Sequence, residues 1–347
     1  MMSLERTYQD YGHPLWRRWL VNRESAIIVL LIAVLAYASI AVPKFATPAT
    51  LTYLLLDVAT ILMIALAMTP IMITGDIDLS VGSMVGLSSV VFGVLFQAGW
   101  SIPVAIIAAL AVGALGGALN GLLVTRIGLP ALAVTIGTMA LFRGIAVGLL
   151  GTTAVTKFPK EWTSLAKAKI PGTPIPMVMI LFVVLLIAFA LMLHFSSFGR
   201  GVYAIGRSKD AAAFYGVNVA RTRLILFIIS GVIAALGGIY YTLRYGSARG
   251  DNATGLELQV IAAVVLGGVS VFGGRGALHG VIAGVLLIGA LSSALRLANV
   301  TADVINIITG VLLVVSVVAS SLIDWVQARR TKRLNRTSST PQPATVG

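Results

Sequence analysis

The chain has no cysteine, which excludes disulfides, thiolate chemistry and cysteine-based metal sites. Its three histidines, His13, His194 and His279, are far apart in sequence, and each is better placed as an interfacial residue than as a metal ligand. Charge is scarce: Asp, Glu, Lys and Arg make up 11% of 347 residues, against roughly 25% in a soluble domain. No Gly-Lys-Ser/Thr follows a glycine-rich stretch, so the chain carries no phosphate-binding loop of its own. The run Gly267–Gly276 resembles such a loop only superficially, because no strand precedes it.

What is present is apolar. Hydrophobic residues are 58% of the chain and the mean hydropathy is +0.98, a composition that cannot build a soluble surface. Runs such as Met177–Leu193 and Val304–Ile323 cross a hydrocarbon core of ~30 Å with some tilt or help from flanking residues, at ~1.5 Å per residue. In lipid the backbone must satisfy its own hydrogen bonds, so these runs are helices. They do not alternate with polar residues, which excludes a β-barrel. The expected fold is all-α and polytopic, with about ten transmembrane segments at 26–42, 53–73, 81–98, 102–124, 130–150, 176–195, 224–245, 258–272, 279–297 and 304–323. Glycine-rich stretches separate the second segment from the third and the eighth from the ninth, so broken or re-entrant helices are expected there.

Basic residues outnumber acidic ones, 25 to 12, for a net charge of +13. A nucleic-acid partner is not implied, because the charges sit at the ends of apolar runs and in the tails, as insertion topology requires. With both termini inside, sixteen Lys and Arg fall on inner segments and eight on outer ones, with Arg143 inside segment five. The chain therefore divides into a cytoplasmic leader at 1–25, a transmembrane domain at 26–323 and a basic cytoplasmic tail at 324–347. Arg17, Arg18 and Arg23 precede a run extending to Val42, which predicts an uncleaved first helix despite the signal-peptidase-like Ala36-Tyr37-Ala38. The outer loop at 151–175, with its prolines and Trp162, is expected to lie along the outer surface. The tail is rich in Ser, Thr and Pro, which predicts disorder, and its Arg/Lys cluster reads as a topology anchor with affinity for anionic lipid.

Gly75–Gly93 and Gly250–Gly268 have equal length and share five identities. Five crossings separate them, so a true repeat would be inverted, as in many transporters. The first stretch holds Asp76, Asp78 and Ser80. Two readings stand for these acids: capping of segment three, and a place on a solute path. Asn120, Thr135, Thr138, Arg143, Glu257 and Asn306 are polar positions within apolar runs. Asn and Thr there ordinarily bond between helices, whereas Arg143 and Glu257 need a water-filled vestibule or must snorkel outward. Asp76, Asp78, Ser80, Asn120, Thr135, Arg143 and Glu257 are the candidates for a translocation path. Intramembrane aspartyl proteolysis needs two carboxylates facing one bond, and two acids two residues apart do not supply that. Gly113, Gly116, Gly117 and Gly121, and the glycines around segments eight and nine, read chiefly as close helix packing.

The inner loop at 196–223 carries Arg200, Arg207, Lys209, Arg221 and Arg223 against Asp210 alone. Ser208–Gly216 predicts a short capped helix with a glycine stop. Phe214 and Tyr215 give that helix an apolar face, fitted either to rest on the bilayer or to dock in a groove on a cytoplasmic protein.

Gly75–Ser83, Asn120-Gly121 with Gly128-Leu129-Pro130 and Thr135–Thr138, Gly199–Gly216 and Val265–Gly276 occur in an order and spacing that resemble the permease subunits of ribose-type ABC sugar importers, within the branched-chain-amino-acid/ribose permease family. The resemblance covers residues 27 to 323, and is nearest to permeases for rhamnose or for the autoinducer-2 signal. It implies location in the cytoplasmic (inner) membrane of a bacterium, a second permease subunit (an identical or related chain), a cytoplasmic ABC ATPase and an extracytoplasmic sugar-binding protein. No cofactor is implied, and ATP hydrolysis falls to the separate ATPase. It assigns contact with that ATPase to Gly199, Ala204, Gly206, Ala211, Ala212, Phe214, Tyr215 and Gly216. The family usually reads Gly-Gly-Ile-Asp where this chain has Gly75-Asp76-Ile77-Asp78, so local backbone geometry does not carry over there. The rival reading is a stand-alone carrier coupled to an ion or proton gradient through Asp76, Asp78 or Glu257.

Overall fold

A computed structural model describes residues 23–312 together with 314, 315 and 318. The leader before Arg23, the end of segment ten and the tail at 324–347, with its expected disorder and lipid anchor, lie outside the described residues.

Most of the apolar runs are helical in the described residues. In chain order they form α1 (Arg23–Ala41), α2 (Pro48–Ile73), α3 (Val81–Gln97), α4 (Ile102–Thr125) and α5 (Ala131–Leu150). After these come β1 (Ala154–Val155), α6 (Lys160–Leu165), α7 (Val178–Phe195), α8 (Ser197–Arg207), α9 (Lys209–Phe214) and α10 (Val219–Tyr245). The order closes with β2 (Ala248–Arg249), α11 (Leu256–Leu266), α12 (Leu278–Leu297) and α13 (Ala302–Leu312). Seven of them, α1, α2, α4, α5, α7, α10 and α12, are long and apolar enough to cross a membrane, whereas α3, α11 and α13 are shorter. The sequence places segment eight at 258–272, but α11 stops at Leu266. Beyond it Gly268, Gly273 and Gly274 have positive φ, and the chain turns back on itself. Its polar groups are met by neighbours: the Gly274 amide donates to the Ile73 carbonyl at 2.8 Å and the Tyr203 hydroxyl to the Gly276 carbonyl at 2.9 Å. A short antiparallel ribbon pairs Ala154 with Arg249 and Val155 with Ala248.

α2 is the axis of the bundle. Thr47 caps it, accepting from the Thr50 amide, and Pro48 opens its first turn. From Val58 to Ile73 its side chains are buried, apart from Ile61. Around it α10 packs on α4 and α3, and α12 packs on α11 and α1. Lipid tails give no hydrophobic drive between helices, so close approach must supply the adhesion. It does so at the expected glycines: a methyl built on Gly113 would strike the Gly231 carbonyl, and one on Gly231 the Gly113 carbonyl.

The helix ends gather at two poles. At one, Gly75, Gly206, Gly273 and Gly274 touch backbone to backbone; it carries the loop at 196–223 to which the resemblance assigns coupling, and is called the coupling end for that reason. At the other, the ribbon end, the loop at 151–175 is pinned down. The Thr52 hydroxyl donates to the Pro174 carbonyl at 2.6 Å, and the buried Phe158 stacks on Phe92 and Phe96 at 5.4 and 5.0 Å.

Gly231→Leu is expected to lower the thermal unfolding midpoint of the purified protein in detergent, by overpacking that costs roughly 1–3 kcal/mol. Gly137→Ala, whose added methyl meets nothing in this chain, is expected to leave that midpoint unchanged or slightly raised.

Candidate functional site

Two helices begin inside the bundle rather than at its ends. α3 starts at Val81 after the irregular stretch Gly75–Ser80, and α11 at Leu256 after Gly246–Gly255. They meet N-terminus to N-terminus: a methyl on Gly82 would strike the Glu257 carboxylate and lie 3.1 Å from the Glu257 amide nitrogen. From there α11 runs eleven residues, about 17 Å, to Gly267, which presses on Gly280 near the start of α12. Irregular backbone at this depth is tolerated only where protein satisfies it or water reaches it.

Arg143, in the middle of α5, supplies part of that satisfaction. Its Nη1 donates to the carbonyls of Gly250 at 2.8 Å and Asn252 at 2.7 Å, and its Nη2 to that of Gly82 at 3.4 Å. The Asn252 amide donates to the Ser89 hydroxyl at 2.9 Å, and Ser89 shares a 2.6 Å hydrogen bond with Thr242. Arg143 thus turns into the bundle and does not snorkel outward. Glu257 is different: its Oε2 is buried with no hydrogen-bond partner among the described residues. The positive ends of two helix dipoles face it.

A second polar group lies nearer the coupling end. Asp78, 2% exposed, accepts the Ser80 amide at 3.0 Å and the Ser80 hydroxyl at 2.6 Å on Oδ1, and the Ser230 hydroxyl at 2.9 Å on Oδ2. The Asn120 amide of α4 donates to Ser80 Oγ at 2.8 Å, which leaves Asn120 Oδ1 buried without a partner among the described residues. Thr135 of α5 donates to the Ile77 carbonyl at 3.1 Å. Asp76 sits one step further down, in a bidentate pair with Arg223 at 2.5 and 2.7 Å. The seven path candidates therefore form three neighbouring groups: Arg143 with Glu257, then Asp78 with Ser80, Asn120 and Thr135, then Asp76 on its own cations.

The eight residues that the resemblance assigns to ATPase contact form a compact piece of that end. The Ser196 hydroxyl caps α8 by accepting from the Gly199 amide, and that of Ser208 caps α9 by accepting from the Ala211 amide. The Ala204 carbonyl accepts the Ser208 amide at 3.1 Å, and Ala212 is buried under the short helix. Gly199 and Gly206 leave no room for a side chain, the latter lying on the Ile73 carbonyl and Gly274. Gly216 ends the motif at φ +84°, a conformation glycine adopts at no steric cost. Phe214 and Tyr215 point outward, 88% and 84% exposed.

Ser230 and the role of Arg223 are not evident from the motifs. Their signal is spacing: seven residues apart, they share one face of α10 two turns apart. Asp57 was also missed, although a carboxylate within an apolar run is itself a signal. It pairs with Arg244 and, at 3.3 Å, with Arg296, beside a cavity of about 180 Å³ that Tyr241, Tyr245, Gln259 and Ser292 help to line.

Apolar helices of membrane length, two interrupted helices meeting inside the bundle and a buried polar lining define a polytopic membrane transport subunit. The chain belongs to the family described as branched-chain amino acid transport system, permease component, whose model matches residues 50–317. It is similar to proteins named autoinducer 2 import system permease protein LsrD. It is 33% identical to that of Photorhabdus temperata over 324 residues, 90% of this chain and 97% of the relative. To that of Yersinia enterocolitica it is 35% identical over 281 residues, 77% and 84% of the two chains. To that of Salmonella typhimurium it is 33% identical over 328 residues, 91% and 98%. No solved structure gives a significant match. The resemblance read from the motifs is borne out.

Arg143→Met strands the Gly250 and Asn252 carbonyls, and hydrogen bonds to charged groups are worth about 1.5–3 kcal/mol each. The expected outcome is a lower unfolding midpoint and faster protease cleavage within 246–255, read by mass spectrometry.

Proposed function

We propose that this chain is the permease subunit of an ATP-driven importer that carries a sugar-like solute, of the rhamnose, ribose-like or autoinducer 2 class, across the cytoplasmic membrane. The relatives' names favour autoinducer 2 within that class. The observation that carries the mechanism is the exposed aromatic pair at the coupling end. Phe214 and Tyr215 stand edge to face, 5.9 Å apart, at the tip of a six-residue helix rooted in the permease by Ala212. Large exposed rings on a rigid, short helix suit docking in a groove of a partner. That partner is a cytoplasmic ABC ATPase, since this chain has no nucleotide-binding loop.

The coupling end faces the cytoplasm in this reading, as the charge balance requires, and α3, α11 and α13 complete ten crossings. An inverted repeat accounts for the meeting of α3 and α11. Val81 and Leu256, where these helices start, occupy the same position in Gly75–Gly93 and Gly250–Gly268. The next pair, Gly82 and Glu257, are in contact, as residues on a local two-fold axis are. Solute released by an extracytoplasmic binding protein enters from the ribbon end. It passes Glu257 and Arg143, then the Asp78 group, as ATP binding and hydrolysis alternate the pore.

A second permease subunit packs against α5. Gly144 and Gly148 lie on its exposed side, and a methyl on either of them meets nothing in this chain. Small residues of this kind let a neighbouring helix approach closely. The ion-coupled rival loses one of its three coupling sites, because Asp76 is neutralised by the Arg223 and Lys209 cations.

Phe214→Ala is expected to cut solute imported per ATP hydrolysed by about tenfold or more in the reconstituted importer, as loss of an interfacial anchor does. Gly216→Pro cannot adopt φ +84° and has the same effect. Normal uptake in both variants, or uptake driven by an ion gradient in vesicles that lack the ATPase, would refute the reading. Gly144→Leu is expected to weaken pairing of permease subunits, measured by single-molecule photobleaching in bilayers.

A further inference from the structure

Asp76 is two residues from the pore group and touches the coupling helix. Its carboxylate is 5% exposed and holds the Arg223 guanidinium on both oxygens. Lys209 Nζ stands 3.6 Å from Oδ1, on a side chain 47% exposed. Lys209 is the first residue of α9, whose far end bears Phe214 and Tyr215. Arg223 and Ser230 share one face of α10, so Asp76 and Asp78 are clamped to that helix at two levels about 10 Å apart. Ile77, between the acids, is held by Thr135, and Asp78 reaches α4 through Ser80 and Asn120. Asp76 thereby links this cluster to α9 through Lys209.

We infer that Asp76 is a positioning residue that transmits displacement of the coupling helix to the Gly75–Ser80 turn and so to the pore lining. The two halves of its ion pairing have different tasks. The buried, bidentate Arg223 pair fixes the turn to α10 in every state. The half-exposed Lys209 contact is single, longer and open to water. It is the link that yields or tightens as the ATPase moves α9. Asp76 lies outside the solute path in this assignment, although its neighbour Asp78 lies on it.

This inference rests on the docking role of Phe214 and Tyr215, so the test must separate the two. The importer is reconstituted with its ATPase and binding protein, and autoinducer 2 imported per ATP hydrolysed is measured for Lys209→Gln, Lys209→Arg and Phe214→Ala. Lys209→Gln leaves the buried Asp76–Arg223 pair untouched, so folding is preserved, checked by an unchanged unfolding midpoint. The expected result is a fall in the ratio of about fivefold for Lys209→Gln, the scale of one exposed ion pair, with recovery in Lys209→Arg. In the parent protein the ratio falls as salt rises, while in Lys209→Gln it does not respond. An unchanged ratio in Lys209→Gln overturns the inference, as does a loss that Lys209→Arg fails to restore. If Phe214→Ala uncouples while Lys209→Gln does not, the transmission role fails and the docking role stands. If neither changes the ratio, both fail.

Discussion

In hydrocarbon an interrupted helix exposes amides and carbonyls that nothing outside the protein can satisfy, and the rest of this structure depends on how that constraint is met. α3 and α11 both start within the bundle, so their lead-in segments must be bonded by other helices. Arg143 holds one segment by its carbonyls. Asp78, Ser80, Asn120 and Ser230 hold the other. In the proposed function these same contacts place polar side chains where a solute would meet them, because the groups that repair broken backbone are the ones that line the break.

Close packing makes that repair possible. Glycines of α4 and α10 bring the two backbones together, and Gly280 and Gly284 of α12, with Gly267 just past α11, do the same there. Without this approach Ser230 could not reach Asp78, nor Asn120 reach Ser80. At the coupling end the same economy of side chains lets Gly206 rest on the Ile73 carbonyl and Gly274. The coupling loop is thereby seated directly on the ends of α2 and the α11–α12 turn.

How much was legible follows from which interactions are local. The long apolar runs, the capped short helix at Ser208 and its glycine stop were all readable, because each depends on neighbours within a turn or two. The early end of α11 was not. Val269, Val271 and Phe272 keep the hydropathy high across a stretch that the surrounding glycines have already bent out of the helix. Asp76 and Asp78 looked alike in sequence, one motif with two acids. The structure gives one to cations at the coupling end and the other to hydroxyl groups inside the bundle.

The sequence by itself determined the solvent, since a chain this apolar and this poor in charge has lipid as its surroundings, and lipid demands helices. It also determined that the chain carries no phosphate-binding loop of its own, and that the short helix after Ser208 ends in an aromatic pair and a glycine stop. Only the tertiary structure decided what each buried acid does. Asp76 finds Arg223 across 147 residues and Asp78 finds Ser230 across 152. Hydropathy and local propensity act over a few residues. A buried carboxylate is defined by whichever donor the folded chain brings within about 3 Å of it.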